Sequence, residues 1–187
     1  VNPGIGNLSI GKLAAVPALE RPDLLAPPVA AALQQLAGVL PADQVGVAEI
    51  DPELADTAAF CAEYGVELTV SANCVVVAGR RDGQPKLAAC MVLATTRADV
   101  NGLVKRELDV RKASFAPMDL AVELTGMEYG GITPVGLPAD WPVFVDEAVA
   151  VEPWVVIGSG VRRSKLVLPG QSLGLLPTAK LLADLGR

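Results

Sequence analysis

Residues 73–96 read as a β-hairpin: two β-prone apolar runs, NCVVVAG (73–79) and KLAACMVLATT (86–96), flank RRDGQP (80–85) with an Asp-Gly at its centre. A chain committed to so long an antiparallel pair has to build a sheet around it. QVGVAEI (44–50), PVFVDEAV (142–149), PWVVIGSG (153–160) and SKLVLPG (164–170) supply further strands, with VRKAS (110–114) as a short extended piece. Helices are expected over 29–40 after Pro27-Pro28, from the Asp51-Pro52 start to a stop at Gly65, from Asp99 to Leu108, from near Pro117 to Gly126, and in the terminal LLPTAKLLADLG (175–186). On the second of these Ala55, Ala58, Ala59 and Ala62 would form a packed small-residue face, with Cys61 as core filler. Residues 1–21 look irregular, broken by Pro3, Gly4, Gly6 and Pro17. Strands and helices do not alternate with the rhythm of a parallel α/β protein. The fold class is therefore α+β with a mixed, largely antiparallel sheet.

A length of 187 residues suits one core, so a single domain over 1–187 is expected. No run of 18 or more apolar residues free of charge occurs despite a mean hydropathy of +0.43, which predicts no membrane partner. The first 20 residues lack the basic start and continuous apolar block of a secretory signal, and Cys61, Cys74 and Cys90 are widely spaced with no CxxC; a reducing cytoplasm is expected.

Histidine is absent altogether. That removes His-based acid–base catalysis, the Ser-His and Cys-His nucleophile pairs and the commonest zinc ligand. Without a ligand cluster, neither metal nor cofactor is expected. The net charge of -6 argues against a large nucleic-acid footprint, yet residues 1–60 hold seven acidic against two basic side chains, while Arg80-Arg81, Lys105-Arg106, Arg111-Lys112 and Arg162, Arg163, Lys165 form basic clusters beyond them. Such clusters are either solvated surface or a local basic face.

Two glycine-rich loops are candidates for chemistry. Gly130-Gly131-Ile132-Thr133-Pro134 can bring backbone N–H groups close to a carbonyl or phosphate oxygen, or be a shaped turn. Gly158-Ser159-Gly160 follows a strand but lacks the GxGxxG spacing and precedes another strand, so a tight turn or close approach to a ligand is expected rather than a dinucleotide site. Asp146-Glu147 either offers a carboxylate to a cleft or is a solvated strand end. Cys74 has no histidine to activate it and reads as packing.

The succession of a small-residue helix ending at Gly65, the strand at 73–79, GGITPVGLP (130–138), VFVDEAV (143–149) and VVIGSGVRRSKLVL (155–168) resembles the YbaK-like aminoacyl-tRNA editing family, over residues 45–187. That family includes free-standing prolyl-tRNA-editing proteins and the insertion domain of bacterial prolyl-tRNA synthetase. The resemblance implies a partly barrel-like mixed sheet with surrounding helices, and hydrolysis of the ester of a mischarged tRNA, with tRNA(Pro) as a candidate. Residues 1–44 are then a family-divergent extension. It places Gly130, Gly131 and Pro134 against the aminoacyl end, maps the aspartate after the next strand to Asp146 and maps the glycine pair to Gly158 and Gly160. Thr133, Ser159 and Arg162 join the substrate-binding set, and the 3′ end of aminoacyl-tRNA is the implied partner, a synthetase being a further one. Oligomeric state is not legible.

One departure stands out: the family carries a lysine followed by Ser or Thr at the start of the strand, where this chain has Asn73 and Cys74. Asn73 keeps a donor and removes the charge. Either it is a working variant of the catalytic position, or it hydrogen-bonds the strand entrance and the pocket binds an aminoacyl-nucleotide without turnover.

Overall fold

The computed structural model describes residues 4–8 and 10–187, so the expected break at Pro3 lies outside the described residues. The hairpin forms as expected. Strand β3 (Ala72–Arg81) pairs residue for residue with β4 (Gln84–Leu93), from Ala72 opposite Leu93 to Arg81 opposite Gln84. Asp82 (φ 51°) and Gly83 (φ 81°) both occupy the left-handed region, the two-residue turn that matches strand twist.

Two sheets assemble around it. In chain order the other strands are β1 (Val16–Pro17), β2 (Gly46–Glu49), β5 (Ala113–Phe115), β6 (Val143–Asp146), β7 (Val155–Gly158), β8 (Ser164–Leu168) and β9 (Ala179–Leu182). The first sheet is antiparallel throughout, in the order β1-β2-β8-β7. The second, β5-β3-β4-β6-β9, is antiparallel up to β4 and parallel across β4/β6/β9. They do not close into a barrel.

Their facing sides form the main core. Val47, Val155, Ile157, Leu166 and Leu168 of the first sheet meet Ala89, Met91, Val143 and Val145 of the second, and helix α1 (Pro27–Gln35) closes the layer with Val29 and Leu33. The outer face of the first sheet is covered by α2 (Thr57–Tyr64), whose Phe60 and Cys61 pack on Ala48, Val156 and Val167. The outer face of the second is covered by the helical turns 100–107, which include α3 (Lys105–Glu107), through Val100, Val104 and Leu108 against Val77, Cys90 and Phe144. Helices α4 (Met118–Thr125) and α5 (Glu147–Ala150) complete the chain, and no helix among the described residues is long and apolar enough to cross a membrane.

Three local expectations are corrected. The helix expected from Asp51 is split, because Asp51 caps a short turn by accepting from Glu53 N–H and Asp56 then caps α2 itself by accepting from Ala58 N–H. Ala55 therefore lies before α2, and Ala58 and Ala62 are exposed; Phe60 and Cys61 form the buried face. The strand expected over 142–149 ends at Asp146, where that side chain caps α5. The terminal helix is strand β9, since the open edge of β6 offers parallel partners from Val143 to Asp146 and Pro177 interrupts any helix ahead of it.

Candidate active site

The sheets touch at one seam and then part. Ser71, just before β3, makes a parallel bridge to Val156 of β7, with Val156 N–H donating to Val70 C=O at 2.8 Å. Further along the same edge, β3 pairs with β5 from Val77, and Ala116 N–H donates to Val76 C=O at 2.8 Å. Between these contacts the edge has no strand partner. Backbone groups alternate in direction along an antiparallel ladder, so Cys74, in phase with Val70 and Val76, turns its N–H and C=O into the opening.

A cavity of about 390 Å³ occupies this seam, within the range of small-molecule sites. Its walls come from Asn73 and Cys74 of β3, Ile157 and Gly158 of β7, the segment Ala55–Thr57 leading into α2, Gly130 and Ile132 of the glycine loop, and Lys165 of β8. Three cationic side chains, Arg97, Arg162 and Lys165, and one carboxylate, Asp56, line it. A protein of net charge -6 thus turns a positive wall inward. At the rim stand Phe115 (59% exposed) and Tyr129 (60% exposed). Large aromatic rings left this open beside arginines are the surface on which unpaired bases stack.

Asn73 is fixed by α2. Its Oδ1 accepts from Thr57 Oγ1 at 2.7 Å, which leaves Nδ2 as the donor available to a ligand. Lys165 is buried, donates from Nζ to Ala55 C=O at 3.0 Å and lies 5.1 Å from the centroid of Phe60. Burial holds its pKa below the usual lysine value, with Arg162 adding to the effect and Cys61 and Asp56 opposing it. Arg162 braces the rim through Nη1 to Tyr129 C=O (3.1 Å) and Nη2 to Pro52 C=O (3.0 Å). Burial pushes the Cys74 thiol well above its ordinary pKa, so it is not a ready nucleophile.

Of the residues assigned from the sequence to catalysis or substrate binding, Asn73, Gly130, Gly158 and Arg162 line the cavity, as does Cys74, which was read as packing. The other assigned residues do not. Gly131 is buried against Val161, where a Cβ would sit 2.6 Å from the Val161 carbonyl oxygen, and Gly158 is equally constrained, 2.4 Å from that of Gly131. These glycines exist for the loop to lie on the β7–β8 turn, which Gly160 N–H secures by donating to Gly131 C=O at 2.7 Å. Gly160 itself packs on Ala26 and Val29 at the start of α1. Pro134 borders a separate hollow beside α1. Thr133 is fully buried with no hydrogen-bond partner for its hydroxyl.

Ser159 is buried in a hydroxyl pair with Ser164 at 2.7 Å. Asp146 is a structural pin: Oδ1 accepts from Ala148 N–H at 3.1 Å and Oδ2 from Gly186 N–H at 2.7 Å, which ties the chain end to α5. Thr57, Arg97, Phe115 and Tyr129 are among the wall and rim residues that carry no signal in the sequence. Lys165 had been placed only in a basic cluster, although a lysine inside the apolar run of a strand was the available signal. Among the described residues no group of three or more Cys, Asp or Glu side chains is placed to hold a metal ion.

The family model for the aminoacyl-tRNA editing domain matches residues 51–174, which carry every wall of the cavity. No curated relative matches the chain. Among solved structures, a proposed trans-editing enzyme for prolyl tRNA synthetase superposes with a TM-score of 0.68 at 23% identity, over 87% of this chain and 99% of its own. A scaffold protein used for computational grafting of linear epitopes superposes at 0.70 and 21% identity over 87% and 99% of the two chains, and a hypothetical protein at 0.70 and 21% over 82% and 97%. At these identities the likeness is one of fold.

Proposed function

The chain belongs to the aminoacyl-tRNA editing domain family, and from that premise we propose that it is an aminoacyl-tRNA deacylase acting on the ester at the 3′ end of a mischarged tRNA. The observation that carries this reading is the make-up of the cavity: a wall carrying three cations, the Asn73 amide beside them and two exposed aromatic rings at the mouth. A single-stranded RNA end needs both features, since its phosphates meet cations and its bases stack. The aminoacyl ester then reaches past the rim toward Asn73, Cys74 N–H and Gly130.

Hydrolysis joins a water oxygen to the ester carbonyl carbon and breaks the bond to the ribose oxygen. One water proton ends on that ribose hydroxyl, the other is released to solvent, and the amino acid leaves as a carboxylate. With no histidine in the chain, the rate advantage rests on orienting water and on donors to the carbonyl oxygen, where Asn73 Nδ2 and the backbone N–H of Cys74 are placed to act. The named function of the trans-editing neighbour makes tRNA(Pro) the first substrate to try, with a prolyl-tRNA synthetase as the corresponding partner. Deacylation of Cys-tRNA(Pro), Ala-tRNA(Pro) and a wider mischarged panel tests the reading. Acceleration of at least one ester over its spontaneous hydrolysis is expected; acceleration of none overturns it, and tight binding without turnover identifies a recognition module instead.

A further inference from the structure

Lys165 is a buried charge on the cavity wall (7% exposed) with no carboxylate in ion-pair contact among the described residues, and Asp56 offsets it only through space. Its stem runs beneath α2 on the outer face of the first sheet, and its ammonium donates to the Ala55 carbonyl and lies over the Phe60 ring. Those two groups accept a hydrogen bond and offer a π face, but neither carries a countercharge. No carboxylate among the described residues is in ion-pair contact with it. The nearby carboxylate, Asp56, caps α2 through Oδ1 and favours the ammonium without contacting it, while Arg162, a second cation lining the same space, disfavours it. A buried, unpaired ammonium is strongly unfavourable, and an apolar side chain of similar length would pack better between Phe60 and the sheet. The arrangement makes physical sense where an anion arrives from the cavity.

We propose that Lys165 is a catalytic residue whose ammonium faces the bound ester and stabilises the negative charge that develops on its carbonyl oxygen as water attacks. The proposal rests on the deacylase reading above. Position within the cavity selects the ester over the tRNA phosphates as the target: Arg97 and Arg162 stand at the more exposed rim, whereas Lys165 lies buried beside the Ala55–Thr57 segment that also fixes Asn73. Asn73 on β3 and Lys165 on β8 thus approach the ester from opposite sides of the seam. The cation that the family resemblance places at position 73 is supplied here from position 165. Lys165 keeps its proton throughout; the protons that move are those of the attacking water.

The test compares the natural protein, Lys165→Met, Lys165→Gln and the double variant Asn73→Lys/Lys165→Met on the mischarged tRNA panel, with kcat and KM determined separately. Loss of one oxyanion-stabilising group lowers kcat by roughly a hundredfold or more, so Lys165→Met is expected to show that loss with KM nearly unchanged, and the double variant to recover part of it. The melting temperature of Lys165→Met should be no lower than that of the natural protein, because an unpaired charge has been removed. Should it fail to fold, Lys165→Gln, which keeps a polar head toward Ala55, carries the comparison. A raised KM with kcat intact would make Lys165 a phosphate contact and overturn the proposal, as would no kinetic change in an active protein. If the natural protein accelerates no ester, the deacylase reading fails and takes the proposal with it.

Discussion

Thr57 Oγ1 donates to Asn73 Oδ1 at 2.7 Å, joining the first residue of α2 to the entrance of β3. The bond orients an amide that could otherwise turn over, and it determines which end faces a ligand. Thr57→Val keeps the shape and removes the donor. A lost hydrogen bond of this kind is worth about 1 kcal/mol, so kcat should fall about fivefold to tenfold with little change in melting temperature. Thr57→Ser should restore the rate, a rescue that a merely packing role would not require.

Phe115 and Tyr129 bear on binding rather than chemistry. Stacking of a base on an aromatic ring contributes about 1–3 kcal/mol, so Phe115→Ala and Tyr129→Ala should each weaken binding of a CCA-ended RNA by roughly fivefold to a hundredfold in fluorescence anisotropy. Both side chains are more than half exposed, and stability should stay within about 0.5 kcal/mol. Unchanged affinity in both variants would remove the mouth from the recognition surface.

Asp146 should behave as a structural residue. It is 4% exposed and accepts from both Ala148 and Gly186. Hydrogen bonds to a charged acceptor contribute about 1.5–3 kcal/mol each, and loss of the two in Asp146→Ala should lower the unfolding free energy by about 3–6 kcal/mol in urea. Below its melting temperature the variant should retain kcat. A large loss of kcat in a fully folded Asp146→Ala protein would place the carboxylate in the reaction after all.

The depressed pKa of Lys165 gives opposite pH trends for stability and activity. Burial is the main cause; Arg162, in the turn before β8, acts in the same direction, while Cys61 on α2 and Asp56 at its cap oppose it. Between the lowered folded value and the ordinary unfolded one near 10.5, the unfolded chain binds more protons than the folded one. Stability therefore rises with pH across that window. Activity that needs the ammonium falls over the same range. Urea midpoints and kcat measured from pH 7 upward should show both trends, and Lys165→Met should flatten the rise in stability.

Much of the scaffold was legible because its signals are local. Asp82-Gly83 dictates a two-residue turn, Gly65 and Gly126 stop helices by entering the left-handed region, and Asp99 caps the turn that follows it by accepting from Gly102 and Leu103 N–H. The misread elements are those decided by distant partners. LLPTAKLLADLG carries a helical pattern, yet residues 179–182 gain a full parallel ladder against β6, and that pairing wins.

The candidate site divides in the same way. Absence of histidine, a donor without charge at position 73 and two glycine-rich loops were present in the residues themselves, because each concerns the identity or spacing of near neighbours. That Gly131, Gly158 and Gly160 serve backbone packing, that Asp146 pins the chain end, and that Arg97, Phe115, Tyr129 and Lys165 share one cavity with Asn73 was decided only by the tertiary structure. The reason is physical: these groups lie on segments tens of residues apart, and their common environment exists only where the two sheets meet at Ser71 and Val156 and then separate. Residue identity sets which chemistry is available, while burial and charge placement, which no local pattern encodes, set where it can occur.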